Sequence, residues 1–163
     1  MPIWIYLLEK MIWFGFGAIG FAILFNVPQR TLVPIFLLAA TGGITKIILQ
    51  DQFDIGPVFS ALGGATLIGV LSIQAAHLKH APHIVFSIPS VIPMVPGVLT
   101  YQMMIGFVKL LNNKNNESDA NLFNETLKNG LNVTFISIAL VIGVSIPFLI
   151  TRKNSVKFLK FKI

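Results

Sequence analysis

The sequence predicts an all-α polytopic membrane bundle of about five transmembrane helices, the fourth broken at Pro93–Gly97. Three observations carry that prediction. Hydrophobic residues make up 55% of the chain and charged residues 11%, with a mean hydropathy of +0.80, outside the range of a water-soluble domain. The apolar residues gather in stretches close to the ~20 residues that a helix needs to cross hydrocarbon. At that length, 163 residues hold five crossings with short connections and no separate soluble domain, so residues 1–163 are expected to form a single transmembrane unit. Finally, Pro89, Pro93, Pro96 and Gly97 interrupt one apolar stretch. Hydrocarbon supplies no water to a freed amide or carbonyl, so a helix broken at depth survives only where protein or a wet cavity satisfies the loose groups. The break is expected to end one half-helix near Ile92 and start another near Gly97. Such ends carry opposite partial charges and suit a small ion or carboxylate. The alternative is a proline-kinked span packed against its neighbours.

Residues 3–25 read as the first span, with Trp4, Tyr6, Glu9, Lys10 and Trp13 at headgroup level. Gly15-Phe-Gly-Ala-Ile-Gly20 spells G-x-G-x-x-G, but no strand precedes it, and Gly15 and Gly20 read as helix-packing positions. Thr31 is placed to cap a second span, 32–49, with Pro34 in its first turn. Gly42 and Gly43 give that helix a thin waist, and Lys46 lies near its far end. Lys46 either snorkels to the interface or stands as a fixed positive charge for an anionic group.

The third span, 56–78, carries Pro57 in its first turn and Gly64 and Gly69 at small-residue spacing. His77, His80 and His83 recur around Pro82, which breaks the helix between them, so they read as interfacial loop residues and no metal or cofactor is expected. The broken fourth span covers 84–111, with Tyr101 and Gln102 one turn into its second half, facing what Gly97 exposes. An Asn-rich connection follows. Ser118 or Asp119 starts an amphipathic lead into the fifth span, 129–150, where Gly143 supports close packing. Asn116, Asn124 and Asn132 open glycosylation-like triplets of the kind an Asn-rich segment produces by chance.

The formal charge of +6 sits mostly in Arg152, Lys153, Lys157, Lys160 and Lys162. A basic cluster beside a span meets anionic lipid headgroups or fixes topology; nucleic acid is not the expected partner. Arg30, Lys79 and those five fall on one side of five crossings; Lys10, Lys46, Lys109, Lys114 and Lys128 fall on the other. Seven against five places the C-terminus in the cytoplasm and the N-terminus outside, provided that the fourth segment crosses fully. Cysteine is absent, which excludes disulfides and thiolate metal sites. No nucleophile and base pair lies at depth, so an enzyme is not expected.

Gly20-Phe-Ala-Ile-Leu-Phe-Asn-Val-Pro28, the Leu37–Lys46 segment with its glycine pair, and Val91-Ile-Pro-Met-Val-Pro-Gly97 followed by Tyr101 carry a family resemblance. On these strings the chain resembles the small-subunit branch of the threonine/serine exporter family, also called ThrE-like or YjjB-like. The resemblance implies a cell-membrane exporter of small hydrophilic metabolites, either amino acids such as threonine and serine or dicarboxylates such as succinate. It also implies a second, larger membrane subunit. Relatives often carry histidine and arginine around the second-span glycines; here Gly43 and Lys46 stand there, which keeps a cation but not a bidentate guanidinium. The site residues expected on this reading are Lys46, Pro93, Pro96, Gly97, Tyr101 and Gln102. None of the six acids, Glu9, Asp51, Asp54, Glu117, Asp119 and Glu125, lies deep in a span, so any proton-coupling carboxylate is expected on the partner. A non-transporting membrane scaffold is the competing reading.

Overall fold

The computed structural model describes residues 3–112 and 119–151. The expected lipid-facing tail, Arg152, Lys153, Lys157, Lys160 and Lys162, lies outside the described residues, as do Lys114 and the Asn116 triplet. Among the described residues six α-helices follow in order: α1 (Ile3–Leu24), α2 (Leu32–Asp51), α3 (Pro57–Lys79), α4 (His83–Val91), α5 (Gly97–Asn112) and α6 (Asp119–Thr151). Among the described residues, α1, α2, α3 and α6 are each long and apolar enough to cross a membrane. The segments Ile84–Met94 and Gly97–Asn112 meet the same test only as a pair, bent by 56° at their junction. The chain is therefore an all-helical membrane bundle with a broken fourth segment.

Three of the connections share one device. Asn26, Asp54 and His80 take left-handed backbone angles, with φ of 55°, 50° and 50°. Asn, Asp and His tolerate that region better than most residues. Each is followed within three residues by a proline, Pro28, Pro57 or Pro82, which cannot continue the preceding helix. Pro57 then opens α3 with Gly56 as its N-cap. Thr31 does precede α2, but its hydroxyl donates 2.6 Å to the Pro28 carbonyl and makes no capping bond. The expected cap is replaced because the turn at Gln29–Thr31 is already wound, which brings that carbonyl within reach.

Helix packing runs α1 on α2, α2 on α3, α3 on α6 and α6 on α5, while α4 nests against α1, α2 and α3. Consecutive α4 and α5 thus belong to different neighbourhoods, and the break hands the chain from one to the other. In lipid, apolar side chains gain little by leaving one hydrocarbon for another, so close van der Waals contact decides association. Glycines supply it. Phe14 of α1 lies over Gly43 of α2, and Phe36 of α2 lies over Gly15 of α1, so the two helices key into each other reciprocally. Gly42 faces Gly64 across α2 and α3. Between α3 and α6, a methyl group at Gly143 would stand 2.8 Å from both the Ala65 Cβ and the Leu62 carbonyl oxygen, and one at Gly69 would stand 2.9 Å from the Val144 carbonyl oxygen.

Gly20 corrects the expectation for α1. It is exposed, and a methyl group there would meet nothing within 4 Å, because that face of α1 turns away from α2 and α4. Gly20→Ala is therefore expected to change stability by less than ~1 kcal/mol, in the stabilising direction through helix propensity. Gly143→Val should cost about 3 kcal/mol or more, because backbone atoms of α3 cannot move aside as a flexible side chain would. Unfolding of the purified protein in mixed detergent, followed by circular dichroism, checks both.

Candidate functional site

The break is built from named bonds rather than from a simple kink. Pro89 lies inside α4 and removes one amide donor; α4 runs to Val91 and tightens into a 3₁₀ turn over Ile92–Met94. Val95 then swings to extended angles, φ −61° and ψ 134°, and Pro96 leads into α5 at Gly97. An extended residue at that point takes carbonyls out of the regular helical ladder, and three of them, Ile92, Met94 and Val95, find different donors. The Val95 amide donates to Ile92 at 3.0 Å and the Gly97 amide to Val95 at 2.8 Å. Thr100 serves Pro96 twice, through its amide at 3.1 Å and its hydroxyl at 2.9 Å. The carbonyl of Met94 is taken by Lys46 Nζ at 2.9 Å, across 48 positions of sequence. Protein groups serve each of these carbonyls, and one of the donors is a charged side chain.

Several elements hold that lysine in place. Lys46 is half-buried on α2 and lies one turn beyond the Gly42–Gly43 pair, which brings α2 close to α3. A methyl group at Gly64 of α3 would stand 2.6 Å from the Gly42 carbonyl oxygen, 2.6 Å from Met94 Cε and 3.2 Å from Lys46 Cβ. Gly64 thus makes room for the lysine stem and the methionine at once. Met94 is 1% exposed and packs with Ala61, Ala65, Ile68, Ile136 and Leu140 of α3 and α6. Pro93 lies against Gly17 of α1, at 3.4 Å from where a methyl group there would sit. Nearby, Ser90 keeps its hydroxyl satisfied on the Phe86 carbonyl at 2.7 Å, 3.2 Å from the Ile35 carbonyl of α2. Lys46 makes no ion pair with a carboxylate among the described residues, so its acceptor is a neutral carbonyl.

The sequence-derived residues divide accordingly. Lys46, Pro93 and Pro96 converge on the break, and Gly97 opens α5 there, exposed and with nothing within 4 Å of a methyl group. Tyr101 is 66% exposed. Gln102 lines a cavity of about 470 Å³ between α5 and α6, together with Lys109, Glu125, Lys128 and Asn129. Its expected place beside Gly97 gives way because α5 packs on α6, which turns that face of the helix toward α6. His77 and His83 border a cavity of about 220 Å³, and His83 stacks on Phe148 of α6 with ring centroids 3.8 Å apart. His80 is the left-handed residue ending α3 and does not join them there. The Met94 carbonyl was not legible as a partner of Lys46, since backbone acceptors leave no mark in residue type. Lys109 and Glu125 had a usable signal: Gln102, Gly106 and Lys109 on α5, and Leu122, Glu125, Thr126 and Asn129 on α6, follow helical spacing on either side of one short connection.

Comparison with known proteins adds kinship to this geometry. A family model described as Threonine/Serine exporter, ThrE, matches residues 10–150. A protein of Haemophilus influenzae, described as uncharacterized, is 34% identical over 144 residues, covering 88% of this chain and 47% of its own length. The chain therefore spans about half the length of that relative. No solved structure matches.

Proposed function

We infer that this chain, which belongs to the threonine/serine exporter family, is one membrane half of a secondary exporter of small hydrophilic metabolites. The substrates on this reading are amino acids of the threonine and serine type or dicarboxylates such as succinate, and a second, larger membrane subunit completes the carrier. The observation that carries it is the Lys46 ammonium held on the Met94 carbonyl at the α4–α5 break. An ionisable group inside a membrane bundle is costly, and a neutral carbonyl compensates it less well than an anion does. A substrate carboxylate competes for that ammonium, and both substrate classes carry one. Its arrival frees the Met94 carbonyl and with it the joint on which α5 turns. The Val98 and Leu99 amides in the first turn of α5, unlike those of Gly97 and Thr100, donate to no carbonyl before the helix among the described residues, and they lie at the same break and favour negative charge.

The second membrane half is supported by the length of the Haemophilus relative, of which this chain matches 47%. We assign the proton-coupling carboxylate to that half as well, a reading supported by the exposure of Glu9, Asp51, Asp54 and Glu125 in this one. On the count of basic residues, with the fourth segment crossing fully, the N-terminus lies outside and the C-terminus in the cytoplasm.

Reconstitution tests the reading. Proteoliposomes holding this chain with its partner half should release labelled threonine, serine or succinate under an imposed proton gradient, and this chain alone should not. Robust efflux from the chain alone would overturn the division of labour. A scaffold role is separated by Gly97→Leu. The open space at Gly97 lets the variant fold, so a stable protein with at least a tenfold loss of efflux marks a site, whereas unchanged efflux removes the break from the transport path.

A further inference from the structure

The cavity between α5 and α6 has no role in the account so far, and its chemistry is specific. It measures about 470 Å³, ample for a small metabolite. At its floor Gly106 leaves room for Thr126, whose hydroxyl is turned back onto the Leu122 carbonyl at 2.7 Å. Around that floor stand two ammonium groups, Lys109 and Lys128, one carboxylate, Glu125, and two amides, Gln102 and Asn129. Among the described residues no ion pair joins these charges to each other or to a neighbour. The cavity also has a definite level in the bundle. Helix α6 has 33 residues, or roughly 50 Å at 1.5 Å per residue, against a hydrocarbon core of about 30 Å. Glu125, Lys128 and Asn129 lie in its first third, and an excess of length at this polar end would carry them beyond the membrane core. Gln102 and Lys109 reach the same level from α5, whose other end is the break at Gly97.

We propose that this cavity is a vestibule for a zwitterionic α-amino acid, with Lys109 and Lys128 receiving the carboxylate and Glu125 receiving the ammonium. Gln102 and Asn129 donate to and accept from a hydroxyl side chain. The proposal deepens the exporter reading and rests on it for the substrate class. It adds a second station, separate from Lys46, and a basis for telling amino acids from dicarboxylates. A dicarboxylate has no group to satisfy Glu125 and brings negative charge beside it, whereas an amino acid satisfies both signs at once. The same charge pair occurs on zwitterionic lipid headgroups, so the test separates the two sources.

The full chain in phosphatidylglycerol nanodiscs, which hold no zwitterionic headgroup, is titrated with L-threonine, N-acetyl-L-threonine and succinate, with binding read by calorimetry. Glu125→Gln should weaken L-threonine by about tenfold while strengthening succinate and the N-acetyl derivative about twofold or more, since neither then meets a like charge. Replacing Lys109 and Lys128 together with glutamine should weaken L-threonine at least as much. These side chains are exposed, so the variants keep the fold. Unchanged L-threonine binding in Glu125→Gln overturns the proposal. So does loss of wild-type threonine binding when phosphatidylethanolamine is added, which would give the cavity to a lipid. A reconstituted pair that exports threonine while Glu125→Gln binds as wild type removes the vestibule alone. Vestibule binding with no efflux from any reconstituted pair removes the exporter reading instead.

Discussion

Lys46→Met is expected to lower export by roughly a hundredfold while the protein remains folded in the membrane. Methionine keeps most of the aliphatic stem that passes Gly64, so the α2–α3 contact survives. What disappears is the charge and the donor. The Met94 carbonyl, now without its 2.9 Å partner, is left in a site where its own side chain is 1% exposed. Leaving one buried acceptor unpaired costs about 1–3 kcal/mol, enough to loosen the break but not to unfold a bundle held by its other helix contacts. On the proposed reading a substrate carboxylate loses its cation at the break, and that loss falls on transport. Lys46→Arg sharpens the result: the charge stays, but a planar fork replaces a compact ammonium in a gap shaped by Gly64, so partial export with altered substrate preference is expected. Initial efflux rates from proteoliposomes, normalised to folded protein by size-exclusion chromatography, measure both.

Gly64→Leu has the largest expected effect on the fold. The first carbon of the new side chain would meet the Gly42 carbonyl oxygen and Met94 Cε, both at 2.6 Å. The methionine end is flexible, but the carbonyl belongs to the backbone of α2 and yields only if the helices separate. Separation would draw Lys46 away from Met94, break the Gly42–Gly64 approach and open the apolar cluster around Ala61, Ala65 and Ile68. A loss of ~3 kcal/mol or more, with poor membrane yield, follows from overpacking against immobile atoms. Gly63→Ala is the control one position away. There the contact is the flexible Leu49 Cδ1 at 2.6 Å, which rotates aside, so the penalty should be under about 1.5 kcal/mol. Denaturation midpoints in detergent distinguish the two.

The sequence was most legible where physics is local. Pro93, Pro96 and Gly97 cannot hold a regular helix, so the break and its two helix ends were readable within a residue or two, and the structure closes α4 at Val91 and opens α5 at Gly97. Length and hydropathy made the membrane spans equally plain. Glycines were readable as candidates but not as contacts: Gly15, Gly42, Gly43, Gly64, Gly69 and Gly143 meet a neighbour closely, while Gly20, in the same kind of apolar run, meets none. Which face a helix turns inward depends on its neighbours, and hydropathy is uniform around these helices. The same ambiguity misplaced Gln102, because nothing local says that α5 leaves the neighbourhood of α4 for that of α6. The pairing of Lys46 with Met94 lay furthest from reach, since it joins a side chain to a main-chain oxygen 48 positions away.

The central claim is that the broken helix presents a carbonyl to the one lysine of α2, and that substrate takes the lysine from it. Dipolar recoupling between ¹⁵N at Lys46 Nζ and ¹³C at the Met94 carbonyl, in bilayers containing the chain and its partner half, measures it directly. The account predicts a separation within about 4 Å without substrate and loss of that coupling at saturating threonine or succinate. A coupling that is absent without substrate, or that survives saturation unchanged while export proceeds, would contradict it.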